Sequence, residues 1–228
     1  MDAGVEGPGT GRNSRVEAAR QLEEFAGGQH GYVTRAQANR VGVYDEMLAR
    51  LVRAGYLDPV DHGVYRFRGA PDLAWASLWV AWLRLDPARD AHERAERPAE
   101  VARGASAAWV YGIGDLVAEP HQFWTARPRQ ARRKDVAFRT GRLPPEDVAV
   151  VQHLPVTTAA RTIADLVADH YDLEHVADAV GDALDARLLD EEELAAALSH
   201  TGSVRQREGA VRIARQLVES ASSGRRAR

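Results

Sequence analysis

Asp169, His170, Asp172 and His175 lie close enough in the chain to be read as a metal-ligand set. Carboxylate oxygen and imidazole nitrogen are the donors that remain when thiolate is missing, and the chain has no cysteine. The four straddle a helix boundary, where polar side chains belong without any metal, so neither metal nor cofactor is predicted. Asp178, Asp182 and Asp185 share one helix face; that spacing could hold a divalent ion, but a solvated acidic face is the commoner pattern. Nuclease chemistry of the restriction-enzyme type needs a carboxylate two residues before a lysine. Lys134 is the only lysine, and Arg132 stands at that position. The same lone lysine excludes a phosphate-binding loop. Gly112-Ile113-Gly114 lacks the third glycine of a dinucleotide fingerprint, and no serine sits in a nucleophile turn. No catalytic residue is assigned, and the chain is read as a non-enzyme; the rival reading is a nuclease or metal-dependent hydrolase built on the carboxylates near His170 and His175.

What the residues do offer is arginine chemistry toward DNA. Arg50 and Arg53 fall with Asp45, Glu46 and Ala49 on one face of a short helix, opposite Tyr44, Leu48, Leu51 and Val52 at core spacing. Arginine reaches guanine edges or phosphates, a small alanine permits close approach and can touch a thymine methyl, and a carboxylate can accept from cytosine N4. His62, Arg66 and Arg68 could reach the backbone or the minor groove from an adjoining hairpin, and Arg35 and Arg40 complete the basic set. From Tyr32 to Arg68 six basic and four acidic residues leave a net of only +2, a thin charge for tight non-specific binding.

The elements that would position these groups lie between Gly31 and Arg68. Thr34 stands three residues before Gln37, a capping box that opens a helix; Gly42 stops it. A second helix runs from about Tyr44 to Ala54, with Gly55 placed to end it. Leu57–Val60 and Val64–Phe67 read as strands joined by the turn Asp61-His62-Gly63. Helix, turn, helix and hairpin in that order predict a winged helix-turn-helix. A supporting helix opens at a Ser14/Glu17 capping box and runs to about Ala26.

Gly69-Ala70-Pro71 is a breaker cluster and divides the chain into a disordered tail (1–13), a winged module (14–70), a mixed domain (71–220) and a second disordered tail (221–228). The fold class is α+β, the second domain carrying a small sheet and C-terminal helices. Asp72 can cap a buried helix over Leu73–Leu85, whose Trp75, Trp79 and Trp82 suit core packing. His121–Thr125, Val136–Thr140 and Val148–His153 read as strands. Helices follow over Thr157/Thr158 to Ala168, Leu173–Leu188, Glu191–Leu198 and from a Ser203/Gln206 box onward. Seven basic residues and one acid between Arg127 and Arg142 give +6, either a polyanion site or a solvated loop. Nine acids and one arginine between Asp172 and Leu198 give −8.

Hydrophobic content of 45% supports a real core, and a net charge of −3 makes any nucleic-acid surface local. The absence of cysteine removes disulfides, thiolate catalysis and cysteine-ligated zinc. The most apolar run, Leu73–Leu85, is too short to span a bilayer, and no signal-peptide pattern is present. A soluble, cytoplasmic protein is expected.

Several stretches resemble the AbiEi family of bacterial antitoxins: Gly31-Tyr-Val-Thr-Arg35, the Leu51-Val-Arg-Ala-Gly-Tyr-Leu57 end of the second helix, the His62-Gly-Val-Tyr65 wing, Ser106 to Gly114, and above all Leu154-Pro-Val-Thr-Thr-Ala-Ala-Arg-Thr-Ile-Ala-Asp-Leu166. The resemblance spans about Gly31 to Leu166. It implies that the winged module binds inverted repeats upstream of its own operon and represses it; separately, a chain that can be monomeric in solution and pairs on DNA is expected. It implies a C-terminal domain that opposes a nucleotidyltransferase-like toxin. Asp45 and Glu46 depart from the polar or basic residues expected there. An alternative is a toxin-binding protein whose winged module has lost DNA affinity. The −8 segment suits the basic cleft of a nucleotide-handling toxin, so Asp178, Asp182, Asp185, Glu191, Glu192 and Glu193 are the candidate toxin contacts.

Overall fold

The capping box at Thr34 forms as its spacing predicts. In the computed structural model, which describes residues 10–131 and 133–226, the Thr34 hydroxyl accepts from the Gln37 N–H at 3.1 Å, and the Gln37 side chain accepts from the Thr34 N–H at 2.9 Å. Around this box the first unit assembles in the order α1 (Thr10–Gly27), β1 (Tyr32–Thr34), α2 (Arg35–Arg40), α3 (Asp45–Arg53), β2 (Leu57–Asp61), β3 (Val64–Phe67), α4 (Ala76–Leu85) and α5 (Ala91–Glu96). Strand β3 lies between β1 and β2, antiparallel to both. This is a winged helix-turn-helix with one strand more than the hairpin alone. The added strand, Tyr32-Val33-Thr34, is wholly buried. Its signal in the sequence is a β-branched and aromatic triplet that follows Gly31 and ends on the helix cap Thr34.

Ala18, Leu22, Val33, Ala38, Val43, Leu48 and Leu57 form the core of this module. Tyr44 does not join it. It precedes the first turn of α3 and is 64% exposed; an N-cap position lies outside the helical register, so the i, i+4 spacing to Leu48 does not bring the ring inward. At the other end of α3, Gly55 takes a φ of +78°, and a Cβ there would sit 3.0 Å from Arg68, so glycine suits the turn twice over.

The first unit extends to Glu96, well past the breaker at Gly69–Pro71. Segment 71–96 is fastened to the winged core by a buried polar cluster. The Gln29 and Gln37 amides exchange two hydrogen bonds of 3.0 Å, Gln29 also accepts from the Ala91 N–H at 2.9 Å, and Gln37 donates to the Arg89 carbonyl at 2.9 Å. The Thr34 hydroxyl donates to the Pro87 carbonyl. Trp75, Trp79 and Trp82 are buried as expected, and His30 packs edge-on against two of them. Arg94, 2% exposed, lies 3.7 Å over the Trp82 ring and donates to the Trp82 carbonyl. Asp72 is not a cap: α4 begins at Ala76, and the carboxylate pairs instead with Arg66 at 3.0 Å.

The second unit runs from Arg97. Its elements are β4 (Glu100–Ala102), α6 (Gly104–Tyr111), β5 (His121–Thr125), β6 (Val136–Thr140), β7 (Val148–Val151), β8 (Leu154–Thr157), α7 (Ala159–Ala168), α8 (Leu173–Asp185), α9 (Glu191–His200), α10 (Val204–Glu208) and α11 (Ala210–Arg226). The sheet order is β6-β5-β4-β8-β7, five strands where sequence signals mark three. The strand at β4 is too short to show alternation, and Pro155 argues against β8. That proline is tolerated because β4 and β8 share a single bridge, Ala102 to Val156, leaving the Pro155 position outside the ladder on that side. Helices α6 to α9 and α11 pack around Ile163, Leu166, Val176, Val180, Leu194 and Leu217.

Other helix boundaries also differ from expectation. Helix α1 begins at Thr10, so Ser14 lies inside it, and the Glu17 carboxylate is taken by Arg20 and Gln21 rather than by a cap. Residues 1–9 of the expected tail lie outside the described residues. The helix expected from Ser203 onward is divided: α10 spans only Val204–Glu208, and Gly209 separates it from α11. The chain from Ala221 is not a tail over its described part: α11 continues to Arg226, with Ala221 buried and the Ser222 and Ser223 hydroxyls donating to carbonyls four residues back.

Candidate nucleic-acid interface

Helix α3 owes its place to Leu48, which is buried, and to the half-buried Leu51 and Val52. With that stripe inward, Asp45, Glu46, Ala49, Arg50 and Arg53 are all exposed, the outward face read from their spacing. Arg50 and Arg53 have no partner among the described residues.

Acid–arginine contacts elsewhere in the first unit tie up charge. Arg35 pairs with Asp45, the first residue of α2 with the first of α3. Arg68 pairs with Asp58 at 2.6 Å, and this contact holds the Asp58 carboxyl below the usual carboxylate range. Arg84 pairs with Asp61 at 2.5 Å, fixing the base of the wing turn. Arg66, expected on the wing surface, is mostly covered: it donates to Asp72 and to the Ala70 carbonyl and lies over the Tyr32 ring. Arg66 stands at a position where β3 is flanked by strands on both sides, opposite Tyr32 and Asp58, which limits its reach. Arg40 donates to the Ala88 carbonyl at 2.7 Å and lies over Phe25. His62 is exposed at the wing turn. The structure thus gathers Arg35, Asp45 and the wing turn at one end of α3, keeps Arg50 and Arg53 exposed along its outer face, and uses Arg40 and Arg66 within the fold.

In the second unit the most conspicuous polar cluster is internal. Asp165, 1% exposed, accepts from Arg103 at 3.2 Å, from Arg161 at 3.0 Å and from the Trp124 indole N–H at 3.0 Å. Both guanidiniums lie 5.2 Å from the centre of the Trp124 ring. Arg103 also donates to Asp169 at 2.7 Å, Arg161 pairs with Asp147, and Arg139 approaches Asp169 at 3.7 Å. Asp169 is therefore an ion-pair partner, and Asp172 caps α8 by accepting from Glu174. Among the described residues no group of three or more His, Asp or Glu is placed to hold a metal ion, and no helix is long and apolar enough to cross a membrane. The i, i+4 spacing of Arg161 and Asp165 was visible in the sequence; the part of Arg103 and Trp124 was not, because they come from a strand end and a strand distant in sequence.

The basic and acidic segments are placed on separate work. Arg129 pairs with Glu100, Arg133 with Asp135, and Arg139 with Asp169. In the acidic run Asp182 accepts from the Gly114 N–H at 2.8 Å, and Asp190 with Glu193 forms a capping box. Glu191 and Glu192 are exposed in the first turn of α9, as is Asp185 at the end of α8, while Asp178 is half-buried.

Comparison with known proteins agrees with this division. A family model described as "Transcriptional regulator, AbiEi antitoxin" matches residues 20–68, and one described as "AbiEi antitoxin C-terminal domain" matches residues 99–220. Among solved structures, that of RV2827C protein from Mycobacterium tuberculosis is similar with a TM-score of 0.52 and 17% identity, over 90% of this chain and 77% of that one; at this identity the likeness concerns the fold alone. No protein of curated function matches.

Proposed function

Because this chain belongs to the AbiEi family of antitoxins and transcriptional regulators, we propose that it represses its own operon through the winged module and neutralises a nucleotidyltransferase-like toxin through its C-terminal unit. The observation that carries the DNA half is the outer face of α3, where Arg50 and Arg53 stand exposed beside the small Ala49 while the neighbouring arginines are paired. An exposed guanidinium on such a helix can give a bidentate contact to guanine. The toxin half rests on the exposed carboxylates Asp185, Glu191 and Glu192.

Gel-shift titration on the DNA upstream of the chain's own reading frame tests the first half. Each arginine that reads guanine contributes about 1–3 kcal/mol, so Arg50→Ala/Arg53→Ala should weaken binding by tenfold or more. Unchanged affinity in the double variant rejects the assignment. A second reading, a toxin-binding protein without DNA affinity, draws on the same paired arginines, which leave the module little free positive charge. It predicts no shift even for the wild-type chain at low salt.

A further inference from the structure

We propose that Arg35 is a base-reading arginine, and that Asp45 is the positioning residue that holds its guanidinium and keeps it from acting as a general phosphate contact. This rests on the reading of the winged module as a DNA-binding domain.

The pair sits where three elements meet. Arg35 is the first residue of α2, directly after the Thr34 cap, and Asp45 is the first residue of α3. The Arg35 N–H donates to the Gly63 carbonyl in the wing turn at 2.8 Å, and a Cβ at Gly63 would lie 3.8 Å from the Arg35 Cβ. The Arg35 backbone is thus fixed from both sides, by the capping box and by the wing. Its side chain remains 53% exposed and that of Asp45 60%, so the pair is presented at the surface and not sealed in the core.

A guanidinium has five N–H donors in a planar fork. Asp45 engages one Nη2 donor, which leaves other donors for a second partner. The contact does two things to Arg35. It restricts a side chain that otherwise loses much rotamer freedom on binding. It also cancels the net charge of the pair, and non-specific DNA affinity comes from net charge set against phosphates. A neutral, oriented fork has little to gain from an arbitrary phosphate and retains the geometry for guanine O6 and N7. Asp45 therefore need not repel the DNA, and it is not free to accept from cytosine as its sequence position suggests. Glu46, exposed beside it with no partner among the described residues, is the carboxylate left for that role.

The experiment uses the full-length chain and a labelled pool of DNA duplexes with a randomised core. Binding is followed by anisotropy against salt, and the retained duplexes are sequenced. Asp45→Asn should raise affinity for unselected duplex several-fold, steepen the salt dependence by about one phosphate contact and reduce the preference at one base position about tenfold. Arg35→Ala should lose the preference at the same position, the double variant should lose no more than Arg35→Ala alone, and Asp45→Glu should restore part of it. Asp58→Asn removes the same charge from the Arg68 pair and should leave base preference unchanged. Equal changes from Asp58→Asn and Asp45→Asn would show that only bulk charge matters and would overturn the proposal, as would full base preference in Asp45→Asn. If the wild-type chain retains no duplex, the reading of the module as a DNA-binding domain fails, and the proposal falls with it.

Discussion

The two units use the same chemical pair, arginine with aspartate, in opposite surroundings. In the winged module, Arg35–Asp45 and Arg68–Asp58 leave about half of each side chain exposed. In the C-terminal unit, Arg103, Arg161 and Asp165 are each less than a tenth exposed and share one carboxylate. An exposed pair gains little net free energy, because water competes for both charges and salt screens them. It can be exchanged for another partner at small cost. A buried pair has given up its hydration, and removing one member strands the other. The first arrangement suits a surface that must meet phosphates and bases; the second suits a framework that must keep its shape.

The sharpest way to break this contrast is Asp165→Ala. It would leave two buried guanidiniums without their shared acceptor and free the Trp124 N–H. The expected loss is about 3–5 kcal/mol of stability, seen in thermal or urea unfolding of the full chain. A loss below about 1 kcal/mol would mean that Asp147 and Asp169 can take over, and that the cluster is no more committed than a surface pair.

The sequence made these two regions legible to different degrees. Capping and turn residues are local signals, so Thr34, Gln37, Gly55 and Asp61-His62-Gly63 led directly to the winged module and to the exposed face of α3. What escaped was non-local. The Gln29–Gln37 amide pair reaches across to Arg89 and Ala91, which is why residues after the Gly69–Pro71 breaker still belong to the first unit. The Arg103–Trp124–Asp165 cluster joins residues 62 and 41 positions apart, a relation that periodicity cannot show. Tyr44 is more exposed and Arg66 more covered than spacing predicts, because spacing along a helix or strand does not tell what happens at a cap, or beneath a neighbouring segment.

Exposed acids of the C-terminal unit sharpen the comparison from the other side. Asp185 ends α8, where the helix dipole disfavours a carboxylate, and Glu191 and Glu192 sit in the first turn of α9, where it favours them. If these three meet a basic cleft on the toxin, reversing them to lysine should slow association about tenfold or more and weaken its salt dependence. The variant also loses the Glu191–Arg215 contact and the dipole-favoured acids of α9, so it should melt somewhat lower but still cooperatively. Asp182 and Glu193 are kept in this variant because the Gly114 N–H and the α9 cap depend on them. Full rescue from the toxin by the folded, charge-reversed chain excludes this face.

A smaller effect is expected from His121. The ring is buried, its Nδ1 lies 2.9 Å from the Ala118 carbonyl, and it stacks on Trp109. Burial, the largest influence, pushes its pKa below the ordinary 6.5, against the opposing pull of the Ala118 carbonyl. The unfolded chain therefore binds a proton at a higher pH than the folded one. Stability should fall as pH drops below about 6.5 and level off once the folded form also protonates. His121→Asn keeps a donor for Ala118 and cannot titrate. It should lower the melting temperature at neutral pH but flatten the decline from this group, and an unchanged acid slope would assign the decline elsewhere.

The smallest effect should come from the exposed pair Arg68–Asp58. Its carboxyl titrates below the ordinary range because Arg68 donates to it, so whatever stability it adds is present above about pH 4 and is lost only as pH falls through the lowered folded value. Both side chains are in water, however, and the Coulomb gain is offset by the freedom that two long side chains give up. Asp58→Asn should therefore leave the melting temperature at neutral pH unchanged within error, and raising the salt to 1 M should not distinguish variant from wild type. A clear destabilisation that salt removes would show that surface pairs in the winged module also hold its fold together. Such a module could not exchange Arg68 for a phosphate without weakening itself, and the division of labour between exposed and buried pairs would fail at its weakest member.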